Sequence, residues 1–182
     1  MNPAEHSDAV AMLNARAKAR GWPLRCDAAL KFERKELVAL CAVWQDKGKD
    51  GIPPRSAFDM RVLKPFLRHL SIVESIPGGK GARFRFRYFG TAMVTVFGER
   101  TGQFLDDVVP PESLENWSAS YEAALAQGGP LRMLSSYKLP GIDHLSAESI
   151  FAPMLDDKGE MSFILSATYV GPKARLSASH AA

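Results

Sequence analysis

Apolar residues in the first third of the chain recur at helical spacing. From residue 4 to 20 the pattern predicts a helix with a thin apolar face of Val10, Leu13 and Ala17. Glu5 and Asp8 sit near its start, and Arg16, Lys18 and Arg20 near its end, as the helix dipole favours. Gly21 and Pro23 stop it. A second helix is expected from Phe32 to Asp46, where Leu37, Leu40, Cys41 and Trp44 fall at i, i+3, i+4 and i+7. The run Lys47 to Pro54 breaks the pattern. A short helical piece then starts at Ser56 and is limited by Pro65.

From Leu70 the period changes to two. Leu70 to Ile76 reads as a strand, Pro77 to Gly81 as a turn, and Ala82 to Phe89 as the returning strand of a hairpin. In that second strand Phe84, Phe86 and Tyr88 alternate with Arg83, Arg85 and Arg87. Thr91 to Phe97 is a short apolar piece of one or two helical turns between Gly90 and Gly98. Pro111 opens a longer helix with Leu114, Trp117, Tyr121 and Leu125 on one face, stopped by Gly128, Gly129 and Pro130. Three strands follow, Leu131–Leu139, Leu145–Leu155 and Met161–Val170, the last two joined by the tight turn Asp156 to Gly159. Residues 171–182 read as a mobile tail. Hairpins at both ends imply an antiparallel sheet, because parallel strands need longer crossovers. The class is α+β, with five strands, helices on one face and a face that needs a cover.

With 182 residues, 46% apolar and 24% charged, the chain has the composition of an ordinary globular domain. It has no apolar run near the ~20 residues of a membrane helix, and its first ten residues do not read as a signal peptide. Two cysteines, Cys26 and Cys41, make neither a disulfide framework nor a four-ligand metal site. A cytoplasmic location without membrane insertion is expected. The net charge of +3 is unevenly spread: residues 52–100 hold 9 basic and 3 acidic residues, residues 101–182 hold 5 and 10. Such polarity favours self-association or a charged partner, and it is too mild to argue for nucleic acid.

The order of elements resembles the PAS domain, and more closely a bacterial family of mostly single-domain PAS proteins. The residues that carry the likeness are Trp44, Pro53-Pro54-Arg55, Phe58-Asp59, the approach from Leu63 to Glu74, and Phe86 to Thr91. Gly98 to Phe104, Tyr121 and Ala152-Pro153-Met154-Leu155 complete it. The likeness spans about residues 35–172. It implies a PAS-like domain over 31–172, preceded by an N-terminal helical extension over 1–30 and followed by the tail at 173–182. It also implies a five-stranded antiparallel sheet walled by helices between the second and third strands. The function it implies is a sensory or regulatory module that is not an enzyme. Such a module acts through a protein partner in a regulatory pathway, as a homodimer, with its state set by a small ligand.

No nucleophile elbow, phosphate loop or zinc motif is present in the sequence. The best site candidate is aromatic. Phe86, Tyr88, Phe97, Trp117, Tyr121, Phe151 and Phe163 stand on elements expected to face one another, with Met93 as a flexible wall. Tyr88, Thr91, Tyr121 and Ser149 would supply polar groups. Two readings stay open, a ligand cavity and a filled aromatic core. The ligand is not identified. Flavin is not supported, since Cys41 lies on the Trp44 stripe and packs as a small hydrophobe. Haem would need His69 or His144 as an axial ligand, and their polar flanks favour surface or turn roles; His6 and His180 lie near the termini. Asp106-Asp107 and Asp156-Asp157 fall far short of a cation's oxygen ligands. The candidate partner surface is the N-terminal helix with Val10 and Leu13, together with Arg83, Arg85 and Arg87. The arginines read equally as a solvated strand face.

Overall fold

A computed structural model describes residues 3–49, 51–79, 81–136, 141 and 143–172. The elements are α1 (Pro3–Arg20), β1 (Leu24–Asp27), α2 (Lys35–Lys47), α3 (Met60–Leu63), β2 (Leu70–Ile76), β3 (Arg83–Phe89), α4 (Thr91–Phe97), α5 (Leu105–Val108), α6 (Pro111–Gln127), β4 (Leu131–Ser136), β5 (Leu145–Leu155) and β6 (Met161–Pro172). Of the expected tail at 171–182, Gly171 and Pro172 instead end β6; residues 173–182 and the last residues of the expected strand at 131–139 lie outside the described residues.

The sheet is antiparallel throughout and has six strands, in the order β1-β4-β5-β6-β2-β3. This corrects the expected five. The additional strand, β1, is only four residues long, and the alternation of Leu24, Arg25, Cys26 and Asp27 is too short to stand out as a periodic signal. A distant side chain helps to hold it: the Asn14 amide donates to Cys26 O at 2.8 Å and accepts from Cys26 N at 2.9 Å. The expected N-terminal extension therefore contributes a strand to the sheet.

The helices lie on both faces, which corrects the expectation of one. Side chains along β5 alternate: Phe151 packs with Tyr121 of α6, Met93 of α4 and Leu13 of α1. Ile150, Ala152 and Met154 pack with Leu37, Leu40 and Trp44 of α2 and with Leu63 and Phe66. The α2 stripe is thus the cover that the second face requires, and the Trp44 indole N–H donates to Pro153 O at 2.8 Å. Strand alternation delivers two apolar faces, so both must be covered.

The β2–β3 hairpin has a register shift. Ile72 lies opposite Tyr88 and Val73 opposite Phe86, leaving Arg87 as the extra residue. Such a bulge re-aims the side chains that follow it. Phe84, Phe86 and Phe89 consequently pack on the α6 face, whereas Tyr88 packs on the α2 face. The outer edge of β3 is partly occupied by its own chain, Phe86 N donating to Gln103 O at 3.0 Å and Gly102 N to Phe86 O at 2.6 Å. This blunts pairing with other chains.

Both cysteines are buried and free. Burial, with Asp27 beside it, pushes the Cys26 thiol up to about 12; burial also raises Cys41. Only the thiolate is a good nucleophile. Neither thiol is expected to react with Ellman's reagent at pH 8 in the native protein, and both should react in guanidinium. Native-state reaction at the rate of a free thiol would contradict this packing.

Candidate functional site

The helices between β3 and β4 build the site. Gly90 ends β3, and α4 starts at Thr91. A side chain at Gly90 would collide with the carbonyls of Leu67 and Arg68, so the tight passage from strand to helix needs glycine. Pro111 opens α6 in a position where no N–H is needed, and Gly128 closes it in the left-handed conformation, φ 65°.

Six of the proposed pocket residues come together on the α6 face: Phe86, Met93, Phe97, Trp117, Tyr121 and Phe151. Tyr121 is at their centre and is 1% exposed. Its ring stacks on Phe151 at 5.2 Å and 26°, and Trp117 lies 6.1 Å away. Phe97 meets Trp117 edge-on at 6.3 Å, linking α4 to α6. These offset and edge-on pairings are the ones aromatic quadrupoles favour.

Four candidates are placed differently. Tyr88 is on the opposite face because of the bulge, with its hydroxyl donating to Leu67 O at 3.0 Å. Phe163 also packs on the α2 face, 4.9 Å beneath the Arg55 guanidinium. Thr91 is exposed at the first position of α4, and its carbonyl accepts from the Thr95 hydroxyl. Ser149 shares the strand face of Phe151 but donates to Thr168 Oγ1 at 2.9 Å on β6. Two residues belong to the cluster that the sequence reading did not select. Phe84 meets Tyr121 at 5.1 Å, and Phe89 meets Phe86 edge-on at 5.1 Å. Phe84 carried the right signal, since it alternates with Phe86; Phe89 did not, because only the bulge turns it inward.

A groove of about 440 Å³ opens beside the aromatic cluster. Its walls include the β2–β3 turn at Gly79 and Gly81, Phe84, Leu105, Leu114 and Ser118. Arg83 and Asp106 also line it. The Arg83 Nε donates to Asp106 Oδ2 at 2.8 Å, and a second guanidinium nitrogen reaches Asp106 Oδ1 at 2.9 Å. The same guanidinium lies 3.9 Å over the Phe104 ring. The hydrogen bonds from Arg83 hold the Asp106 carboxyl below the usual range. With its folded pKa depressed, Asp106 stabilises the fold above its unfolded value of about 3.9, and that contribution is lost as pH falls through the folded value. In an NMR titration the Asp106 carboxyl should titrate below about 3.9 and return toward it in Arg83→Gln. An unchanged midpoint would contradict the pairing.

The expected partner surface is largely engaged within the chain. Leu13 is buried and Val10 packs against the same cluster. Arg16 and Arg20 reach Glu115 of α6 at 2.9 and 3.3 Å. The helix buries its apolar stripe on its own α6, so Val10 and Leu13 are not an open docking face. Arg83 is held as above, the Arg85 Nε donates to Gly102 O at 3.1 Å, and Arg87 lies 3.7 Å from Glu74.

The two histidines weighed as haem ligands lie away from the aromatic cluster. His69 stacks on Tyr169 at 4.0 Å, with Nδ1 3.1 Å from Thr168 O, and Tyr169 packs on the α2 face. His144 is exposed beside Asp143. Asp156 accepts from the backbone N–H groups of Lys158 and Glu160, both at 2.9 Å, and so shapes the β5–β6 turn. Among the described residues, no three His, Cys, Asp or Glu side chains are grouped to hold a metal ion, and no helix is long and apolar enough to cross a membrane.

One buried ionic centre has no counterpart in the sequence reading. Glu148, 1% exposed on β5, accepts from Arg132 Nε at 2.6 Å. Its two oxygens also accept from Glu33 N at 2.9 Å and Arg34 N at 3.0 Å. Arg132 further reaches Asp27 at 3.4 Å and Glu33 at 3.5 Å. One guanidinium thereby ties β4 to β5, to β1 and to the segment entering α2. The available signal was a pair of opposite charges in strands that are otherwise uncharged. Arg132 balances the Glu148 charge, and the backbone N–H groups of Glu33 and Arg34 complete its hydrogen bonds, as a buried charge requires.

No protein-family model matches the chain, and no curated protein is significantly similar to it.

Proposed function

We propose that the chain is a PAS-like regulatory module. It acts through contacts with another protein, and a small molecule held where α5 and α6 meet the sheet sets its state. The observation that carries this reading is the insertion of α4, α5 and α6 between β3 and β4, where they pack an aromatic cluster on the sheet beside an open groove. With β1 set aside, the remaining five strands carry these helices between the second and third, as the family resemblance implies. The groove joins an apolar floor, Phe84 and Leu105, to a hydroxyl at Ser118 and backbone groups of the glycine turn. That combination suits a small, mostly apolar ligand with one or two polar groups. Placing His69 and His144 away from the cluster removes support from the haem alternative.

A ligand against Leu105 and Leu114 would bias α5 and α6. The Phe97–Trp117 contact passes that bias to α4. The shift is limited to the ligand's differential affinity for the two arrangements. Tagged protein crosslinked in the cells that make it should carry one protein in a fixed ratio. Native mass spectrometry of the same material should show a small mass that is lost on denaturation. A chain that crosslinks to no protein and turns over a small molecule by itself would overturn the proposal.

A further inference from the structure

The segment that supports α4 carries a charged outer surface. Asp59 accepts from the N–H groups of Arg61 and Val62 and so starts α3. Successive turns follow, with Phe66 N donating to Leu63 O and His69 N to Phe66 O, each at 2.9 Å. Leu63 and Phe66 point into the α2-side core. Arg61, Lys64 and Arg68 are exposed on the outside of the same turns, and none of the three forms an ion pair with a described residue. Met60, immediately before them, is 63% exposed.

The inner side of this segment and the start of β2 are bonded to the end of β3, to Gly90 and to the start of α4. Leu67 O accepts the Tyr88 hydroxyl, Arg68 O accepts Ala92 N at 2.8 Å, and Leu70 O accepts Gly90 N at 2.8 Å. A displacement of α4 therefore moves the backbone that carries the three cations. We propose that Arg61, Lys64 and Arg68 form a docking ridge for an acidic segment of a partner protein. This rests on the regulatory reading above and names the surface through which it works. Charge complementarity sets the partner's chemistry: three cations with no ion pair to a described residue, three and four positions apart, match carboxylates at i, i+3 or i+4 and i+7 of a helix. Met60 adds an apolar contact of the kind a phosphate backbone does not use. Three cations are also few beside the 6–10 phosphate contacts of typical duplex binding.

The test uses the full chain and a fluorescein-labelled helical peptide with glutamates at that spacing. A scrambled peptide of equal charge, duplex DNA and phosphatidylserine vesicles serve as comparisons. Wild type should bind the spaced peptide more tightly than the scrambled one, with affinity falling as salt rises. The variant R61E/K64E/R68E should lose at least about tenfold in affinity. The variant K18E/R25E/K35E, with the same change in charge at exposed positions elsewhere, should keep most of it. Circular dichroism confirms that both variants are folded. Equal loss in the two variants, no preference over the scrambled peptide, or tighter binding to DNA or vesicles would overturn the ridge. The outcome is separable from that of the regulatory reading. If the protein crosslinked in cells still binds R61E/K64E/R68E, the ridge fails and the module stands; if no protein is crosslinked, the module itself fails.

Discussion

Replacing Glu148 with alanine is expected to destabilise the fold by about 4 kcal/mol, the cost of breaking a buried ion pair by removing one partner. Arg132 would lose its shortest partner, at 2.6 Å, and keep only the longer contacts to Asp27 and Glu33. The N–H groups of Glu33 and Arg34 would lose their acceptors, each a further cost when water cannot enter. For a domain of this size the loss corresponds to roughly 10 °C in Tm. Glu148→Gln retains an acceptor for the backbone and should cost about half as much. Thermal and urea unfolding measure both. A loss below about 1 kcal/mol in Glu148→Ala would mean that water or the two remaining acids take over the role of Glu148.

Tyr121→Ala should be comparably costly, about 4 kcal/mol, through the cavity it leaves. Tyr121 is fully enclosed, and the rings of Phe84, Trp117 and Phe151 all lie against it. The variant should also lose part of its near-ultraviolet circular dichroism, because Trp117 would keep Phe97 but lose Tyr121 as a fixed neighbour. A folded variant of wild-type stability would show that the helices α4–α6 are loosely seated on the sheet. Tyr121→Phe keeps the packing and separates the ring from its hydroxyl.

The sequence announces the parts of this fold that obey one period. The α2 stripe, the hairpin β2–β3 and α4 from Thr91 to Phe97 follow from alternation or helical spacing, and β5 from Leu145 to Leu155 from its apolar run and the tight turn that follows it. What escaped depends on contacts between distant residues. β1 is fixed by Asn14 and by pairing with β4, neither of which leaves a local pattern. The bulge at Arg87 moves Tyr88 to one face and Phe89 to the other, so a correct strand assignment still places two aromatic residues wrongly. The sheet also has two apolar faces, and a pattern read strand by strand does not say which helix covers which. For that reason the pattern alone groups Phe163 with Phe151, although they pack on opposite faces of the sheet. The aromatic centre around Tyr121 was legible because its residues alternate on strands or share one helix face. The Glu148–Arg132 centre was not, because charges within a strand gain meaning only when the neighbouring strand is known.

The aromatic cluster and the outer turns at residues 60–69 are expected to move as one mechanical unit. Amide hydrogen exchange in wild type and in Trp117→Ala tests it most directly. Removing Trp117 takes away the ring that Phe97 meets edge-on and is expected to loosen α4. Faster exchange is expected at Gly90 and Ala92, whose acceptors are the carbonyls of Leu70 and Arg68, and at Phe66 and His69 in the turns. Faster exchange confined to α6, with those four amides unchanged, would contradict it.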